Sequence, residues 1–288
     1  MTLYLGVDAG GTSCKARLTD EKGTVLGTGV AGPANTRIGL DALHETLLDV
    51  CRQATDAAGV GQDDLADIRV GMGIAGINRQ GMKPKIQALA FPFRSVALSS
   101  DSMIANLGAH AGGDGAILIL GTGSVGLIKR GEDSTSIGGY GFPISDEGSG
   151  AALGLSAIRH ALRALDGRTR PTPLSQAVTQ QFNHAIPGVI AWMDEATPAD
   201  YASFAPLVLA HAETGDEIAL SIVREGALHI ERFIETIYAR GATRCVLMGG
   251  LAEPMTPWLR ARIVDRLVSP LGDALDGALL LAGRPLPG

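Results

Sequence analysis

Residues 3–19, LYLGVDAGGTSCKARLT, place two alternating apolar runs on either side of Asp8-Ala9-Gly10-Gly11-Thr12. That pattern reads as a strand, a tight glycine turn and a returning strand, not a strand feeding a helix. The distinction excludes the usual nucleotide loops. A Walker loop requires GxxxxGK[ST], and a dinucleotide fingerprint requires GxGxxG at the opening of a helix. Two glycines without Cβ leave backbone N–H groups open to a phosphate, and Thr12 adds a hydroxyl. A carboxylate at Asp8 is placed to hold a hydrated Mg²⁺ on phosphate oxygens. The same residues are also compatible with an ordinary hairpin.

Composition narrows the rest. A chain of 288 residues has room for two domains, and 45% hydrophobic against 19% charged residues describes a folded protein. The net charge of −6 argues against a nucleic-acid surface. Apolar runs such as 116–120 and 278–282 are too short to span a bilayer, and nothing at the N-terminus reads as a targeting segment, so the expectation is a cytoplasmic protein with no membrane contact. Cys14, Cys51 and Cys245 form no CxxC, and the His residues are scattered, so neither type is assigned to a metal.

Along the chain, strands are expected at 3–8, 14–19 and 24–30, then a helix over 39–58 with Leu40, Leu43, Leu47, Val50 and Ala54 on one stripe. Buried strands follow at 68–75 and 95–99, with a short helix from Asp101 to Ala111. The pattern then restarts: a strand at 115–121, a Gly121-Thr122-Gly123-Ser124 turn and a returning strand at 125–130. Helices are expected at 149–166 and 216–239, and a strand at 243–248 ending in Gly249-Gly250. Residues 171–205, with Pro171, Pro173, Pro187 and Pro198, read as a less regular insertion. Two similar α/β halves would leave a cleft between them, a favoured place for a ligand.

Five segments occur in order: DAGGT (8–12), SSD (99–101), GTGS (121–124), GGYGFPISDEGSG (138–150) and MGGLA (248–252). Together they resemble the sugar-kinase, actin and heat-shock-chaperone superfamily. More narrowly, they resemble the bacterial glucosamine and N-acetylglucosamine kinases of the BadF/BadG/BcrA/BcrD ATPase group. FPISDEGSGAALGL, FNHAIPGVIAW and DALDGALLLAG extend the likeness to the glucosamine-kinase branch over the whole chain.

The resemblance implies an α/β protein of two ribonuclease-H-like domains around a central cleft. Residues 1–112 would form the first domain. Residues 113–288 would form the second, with a helical insertion over about 150–215 and a last helix free to pack back on the first domain. Gly10, Gly11, Thr12 and Thr122 would hold ATP phosphates, Asp8 the Mg²⁺ through water, and Gly249 and Gly250 the adenosine. Asp101 would act as general base on the acceptor hydroxyl, with Asn35, Gly123, Ser124 and Asp146 binding the sugar. Tyr140 departs from the Trp of the animal N-acetylglucosamine kinases, which weakens transfer of their acetyl specificity.

Taken singly, each residue keeps an ordinary alternative. Asp101 could be a helix N-cap, Asp146 and Glu147 an acidic pair at a helix start, and the glycine segments and Asn35 plain turns. The implied activity is phosphorylation of glucosamine at its 6-hydroxyl, with N-acetylglucosamine the near alternative and a homodimer the expected state. An ATPase activator of radical enzymes would need a cysteine pair for a cluster between subunits, which this spacing does not offer. A sugar-sensing regulator would carry a helix-turn-helix ahead of DAGGT, where seven residues stand.

Overall fold

The computed structural model describes residues 2–286. In chain order the strands are β1 (Tyr4–Ala9), β2 (Cys14–Thr19), β3 (Val25–Ala31), β4 (Arg69–Ile74), β5 (Ser95–Ser99), β6 (Gly115–Leu120), β7 (Ser124–Arg130), β8 (Asp133–Gly138) and β9 (Cys245–Met248). The helices are α1 (Leu40–Ala57), α2 (Met82–Gln87), α3 (Asp101–Ala109), α4 (Gly150–Leu165), α5 (Pro173–Gln180), α6 (Ile186–Glu195), α7 (Pro198–Ala202), α8 (Ala205–Glu213), α9 (Glu217–Ala239), α10 (Ala252–Met255), α11 (Ala261–Val264) and α12 (Ala274–Leu281). They divide into two compact units, one running to Gly115 and resuming at Ser269, the other Ala116–Val268.

The first unit holds a five-stranded sheet in the order β3-β2-β1-β4-β5. β1, β2 and β3 are an antiparallel meander, while β4 and β5 run parallel to β1. This is a ribonuclease-H-like arrangement. Leu43, Leu47, Val50 and Ala54 turn the apolar stripe of α1 onto a core that includes Leu5, Val7, Leu18, Val70, Met72 and Ile74. α3 and α12 also pack on this sheet's strands, against each other at unusually short range. A Cβ on Gly277 would stand 1.8 Å from the Ile104 carbonyl oxygen, so only glycine lets the two helices approach this closely. Arg17 of β2 then ties down the start of α12, 2.6 Å from Asp273 and 3.1 Å from Asp276.

The last helix, α12, packs within the first unit, which runs to Gly115 and resumes at Ser269. No pattern within residues 273–283 announces this. The helix is placed by the glycine contact and the Arg17 ion pairs, both made with residues far away in sequence.

The second unit is built on a four-stranded sheet in the order β8-β7-β6-β9, with β9 parallel to β6 and β8 antiparallel to β7. α9 lays Ala219, Ile222, Val223, Ala227, Ile230, Ile234 and Ile237 on this core. Residues 171–205, irregular by composition but inside the helical insertion that the resemblance implies, are largely helical: α5, α6 and α7, with α8 following directly. Prolines stand in the first turns of all four helices. There the missing N–H costs nothing and the fixed φ favours helix, so they start helices and do not interrupt them. Phe182, Trp192, Tyr201 and Phe204 join these helices by ring contacts of 4.8–6.1 Å.

Candidate active site

In the first unit, sheet register puts Asp8 opposite Lys15 on β2 and Gly73 on β4, with Gly73 opposite Ser99 on β5. This row crosses the sheet near the carboxyl ends of its parallel strands, where open α/β sheets bind ligands. Asp101 follows two residues after Ser99. Among the described residues no hydrogen bond reaches the Asp8 carboxylate. Burial, and next the Asp101 carboxylate, raise its pKa to about 6, with Lys15 opposing the shift.

Asp101 is not the cap of α3. Ser100 is, its hydroxyl accepting from the Met103 N–H at 3.1 Å. Asp101 is the first helical residue, and one carboxylate oxygen accepts the Ser102 N–H at 2.8 Å. Burial still holds its pKa above the usual carboxylate range, in spite of the backbone donors. With capping done by the serine, the Asp101 carboxylate is not needed to cap α3.

The turn between β1 and β2 is closed by Gly10 N–H to Ser13 O at 3.0 Å, while Ala34 N–H reaches Gly10 O at 3.0 Å. That second bond ties the turn to the loop carrying Asn35. Gly11 and Thr12 are exposed. Asn35 forms a lone bridge with Ala75 past the end of β4, and its Oδ1 accepts the Arg37 N–H at 2.9 Å. Its amide NH₂ remains a donor for a ligand. Sequence reasoning passed over Lys15. The signal was available, since a strand returning from a turn at 10–13 pairs residues 8 and 15 and gives them one face.

In the second unit, the GTGS turn is anchored to the start of α4, where Gly150 N–H meets Gly121 O at 2.8 Å and Ala151 N–H meets Thr122 O at 3.2 Å. Thr122 is exposed. Ser124, 2% exposed, donates its hydroxyl to the Glu147 carbonyl at 2.8 Å, so that group secures the loop. Asp146 is 9% exposed and holds φ at 70°, a left-handed conformation that aspartate tolerates better than most residues. It is not the solvated acid of a helix start; the cap of α4 is Ser149.

Burial raises the Asp146 pKa, while the N–H groups of Gly141, Ser124 and Phe142 oppose that rise. A Cβ on Gly123 would lie 2.9 Å from Asp146 Oδ2, so glycine there lets the carboxylate lie against the turn. Behind it, Phe142 meets Tyr201 at 5.0 Å. Gly249 has φ 97°, and a Cβ would stand 2.2 Å from the Leu120 carbonyl oxygen, which packing alone forbids. Around Gly250, by contrast, the space is open.

The structure thus brings Asp8, Gly10, Gly11, Thr12, Asn35 and Asp101 together in one unit, and Thr122, Gly123, Ser124, Asp146, Gly249 and Gly250 in the other. No cluster of three or more His, Cys, Asp or Glu residues suited to a metal occurs among the described residues. The Asp8 carboxylate, which no hydrogen bond reaches among the described residues and whose pKa burial and then Asp101 raise, does fit a hard cation that keeps waters and takes its other ligands from phosphates. No helix among the described residues is long and apolar enough to cross a membrane.

Comparison with known proteins agrees with this architecture. The chain is 39% identical over 285 residues to the glucosamine kinase GspK of Vibrio cholerae, spanning 99% of this chain and 97% of that one. It superposes with a TM-score of 0.91 on a provisionally assigned N-acetylglucosamine kinase from Chromobacterium violaceum, 32% identical, covering 98% of this chain and 99% of the other. A glucokinase of the ROK family from Streptomyces griseus, solved with glucose and AMPPNP, shares the fold at a TM-score of 0.60 and 18% identity, covering 98% of this chain and 100% of that one. Residues 5–282 match the BadF/BadG/BcrA/BcrD ATPase family, and the chain is a member of it.

Proposed function

We propose that this protein is an ATP-dependent glucosamine kinase, transferring the γ-phosphoryl group to the 6-hydroxyl and releasing glucosamine 6-phosphate and ADP. The observation that carries the reading is Asp101, a half-buried carboxylate relieved of capping by Ser100 just past the end of a parallel strand. Phosphoryl transfer asks for positioning and charge neutralisation more than covalent chemistry. Gly10, Gly11 and Thr12, with Thr122, cradle the phosphates; Gly250 gives the adenosine room, and Gly249 forms the turn that presents it. Asn35 donates to a sugar hydroxyl, and Asp146 accepts from another while holding Gly123 and Ser124 in place. Lys15 adds a cation beside the phosphate loop.

As the acceptor oxygen bonds to phosphorus and the bond to the ADP oxygen breaks, the hydroxyl proton passes to Asp101. A base of this kind contributes about 10²–10⁴-fold. Mg²⁺ on Asp8 would neutralise phosphate charge. N-acetylglucosamine is the second reading, favoured by the Chromobacterium violaceum likeness. Association is proposed to be homodimeric. The three buried free cysteines support a reducing, cytoplasmic setting.

The test is kcat/KM for glucosamine, N-acetylglucosamine and glucose in a coupled ADP assay, with a blank lacking sugar. Glucosamine is expected to lead. A clear lead for N-acetylglucosamine would replace the substrate, and sugar-independent ATP hydrolysis alone would remove the kinase assignment.

A further inference from the structure

Ile104 lies one turn along α3 from Asp101, is fully buried, and is held from three directions. Its N–H donates to the carbonyl of the capping Ser100 at 3.1 Å. Its side chain covers Gly73 of β4, where a Cβ would stand 2.3 Å from both Cγ1 and Cδ1. Its own carbonyl oxygen lies against Gly277 of α12, 1.8 Å from the place of a Cβ. Gly73 is also the residue opposite Asp8 in the sheet register. Gly6 and Gly71, two residues earlier on the same strands, approach the α12 backbone in the same manner. Alternation along a strand then turns residues 6, 8, 71 and 73 to one face. Asp8 and Ile104 share the face that α3 and α12 cover, and the bare backbone at Gly73 lets the first turn of α3 down beside Asp8. That closeness agrees with the electrostatic effect of Asp101 on Asp8.

We propose that Ile104 is the positioning residue for Asp101: seated on Gly73 and backed by Gly277, it fixes where that carboxylate stands relative to Asp8. The inference rests on the reading of Asp101 as general base. Ile104 touches no reacting group and acts only through the backbone of the first turn. That turn needs the support. α3 has nine residues, a length at which a helix does not hold its own ends, and Asp101 is its first residue. A base misplaced by about 1 Å costs on the order of 10²-fold in rate. A residue that merely filled the core would alter stability and leave kcat alone; one that seats the base alters kcat and leaves substrate binding alone.

The test joins kinetics to amide hydrogen exchange on the full chain. Ile104→Val removes only the Cδ1 methyl and should fold as wild type does. Its kcat with glucosamine is expected to fall several-fold, at unchanged KM for sugar and ATP. Gly73→Ala strains no backbone, since Gly73 lies outside the left-handed region, but it displaces Ile104 and should lower kcat about 10²-fold. Adding Ile104→Ala clears that space, so the double variant should turn over faster than Gly73→Ala alone. In Ile104→Val and Gly73→Ala, the Ser102 and Met103 amides, held by Asp101 and Ser100, should exchange about tenfold faster, while those of α1 keep their protection. The proposal is overturned by KM rising in step with the fall in kcat, or by normal turnover while the two amides loosen. Lost turnover with unchanged exchange at those amides overturns it too, as does a double variant no faster than Gly73→Ala. A wild type that consumes ATP equally with and without sugar would fail the kinase reading instead. Exchange at the two amides is independent of turnover and still decides whether Ile104 seats the turn.

Discussion

Each unit presents aspartate at its candidate site, but the two units treat the carboxylate in opposite ways. In the first, Asp8 receives no hydrogen bond among the described residues, and Asp101 accepts chiefly from its neighbour Ser102. In the second, Asp146 is surrounded by the N–H groups of Gly141, Ser124 and Phe142 and lies against Gly123. A carboxylate left bare and desolvated is poised to take a proton or a cation. One wrapped in backbone donors organises the loops that donate to it. The proposed function gives the first unit's carboxylates the chemistry and the second unit's the positioning, and this contrast is what the following variants test.

The largest effect should come from Asp101→Asn, which keeps shape and removes basicity. kcat is expected to fall about 10²–10⁴-fold while sugar KM and thermal stability scarcely move. Near-normal turnover would place the base elsewhere. Asp146→Asn should show the contrasting pattern. It tolerates the left-handed backbone and keeps one acceptor oxygen, but its amide NH₂ turns the second acceptor into a donor among the N–H groups of Gly141, Ser124 and Phe142. A loss of about 1–3 kcal/mol in denaturant melts is expected, with a raised sugar KM. Unchanged stability together with a collapse of kcat would reverse the division of labour between the units.

Asp8→Asn separates the two roles through stability. The folded-state pKa of about 6 lies above the ordinary carboxylate value of 3.8, so the fold favours the protonated acid. As pH rises from 4 to 6, ionisation of this group costs stability, and below about pH 4 the cost disappears. In Mg²⁺-free buffer the variant should be more stable than wild type at pH 7, by an amount of order 1–2 kcal/mol after solvent screening, and equal to it near pH 3.5. Equal stability at both pH values would show that Asp8 is not desolvated. The smallest effect is on the acid limb of kcat/KM. Because burial raises the Asp101 pKa, the limb should fall at a pH above the range of a free carboxylate, and Asp101→Asn should abolish it.

The opening hairpin was legible because alternation and glycine act locally. β1, β2 and the turn at 10–13 need no distant partner to be recognised. The Ser99-Ser100-Asp101 triplet was less so, since Ser and Asp compete equally well for a cap and only the backbone path selects Ser100. β8 went unread because its residues DSTSIG are mostly exposed, leaving no apolar alternation to detect. The proline-rich insertion misled for a related reason: proline breaks a helix interior but begins a helix well, and its position in the helix is invisible until the helix is known. The desolvation of Asp8 and the wrapping of Asp146 both depend on residues far along the chain, so the motif named the residues without their electrostatic state.

The most direct test of the account is to incubate the protein with ATP, Mg²⁺ and glucosamine and to identify the product by phosphorus NMR. The account predicts a phosphomonoester coupled to the two C6 protons, formed by wild type and nearly absent with Asp101→Asn. Inorganic phosphate alone, or a phosphate on the anomeric carbon, would contradict it.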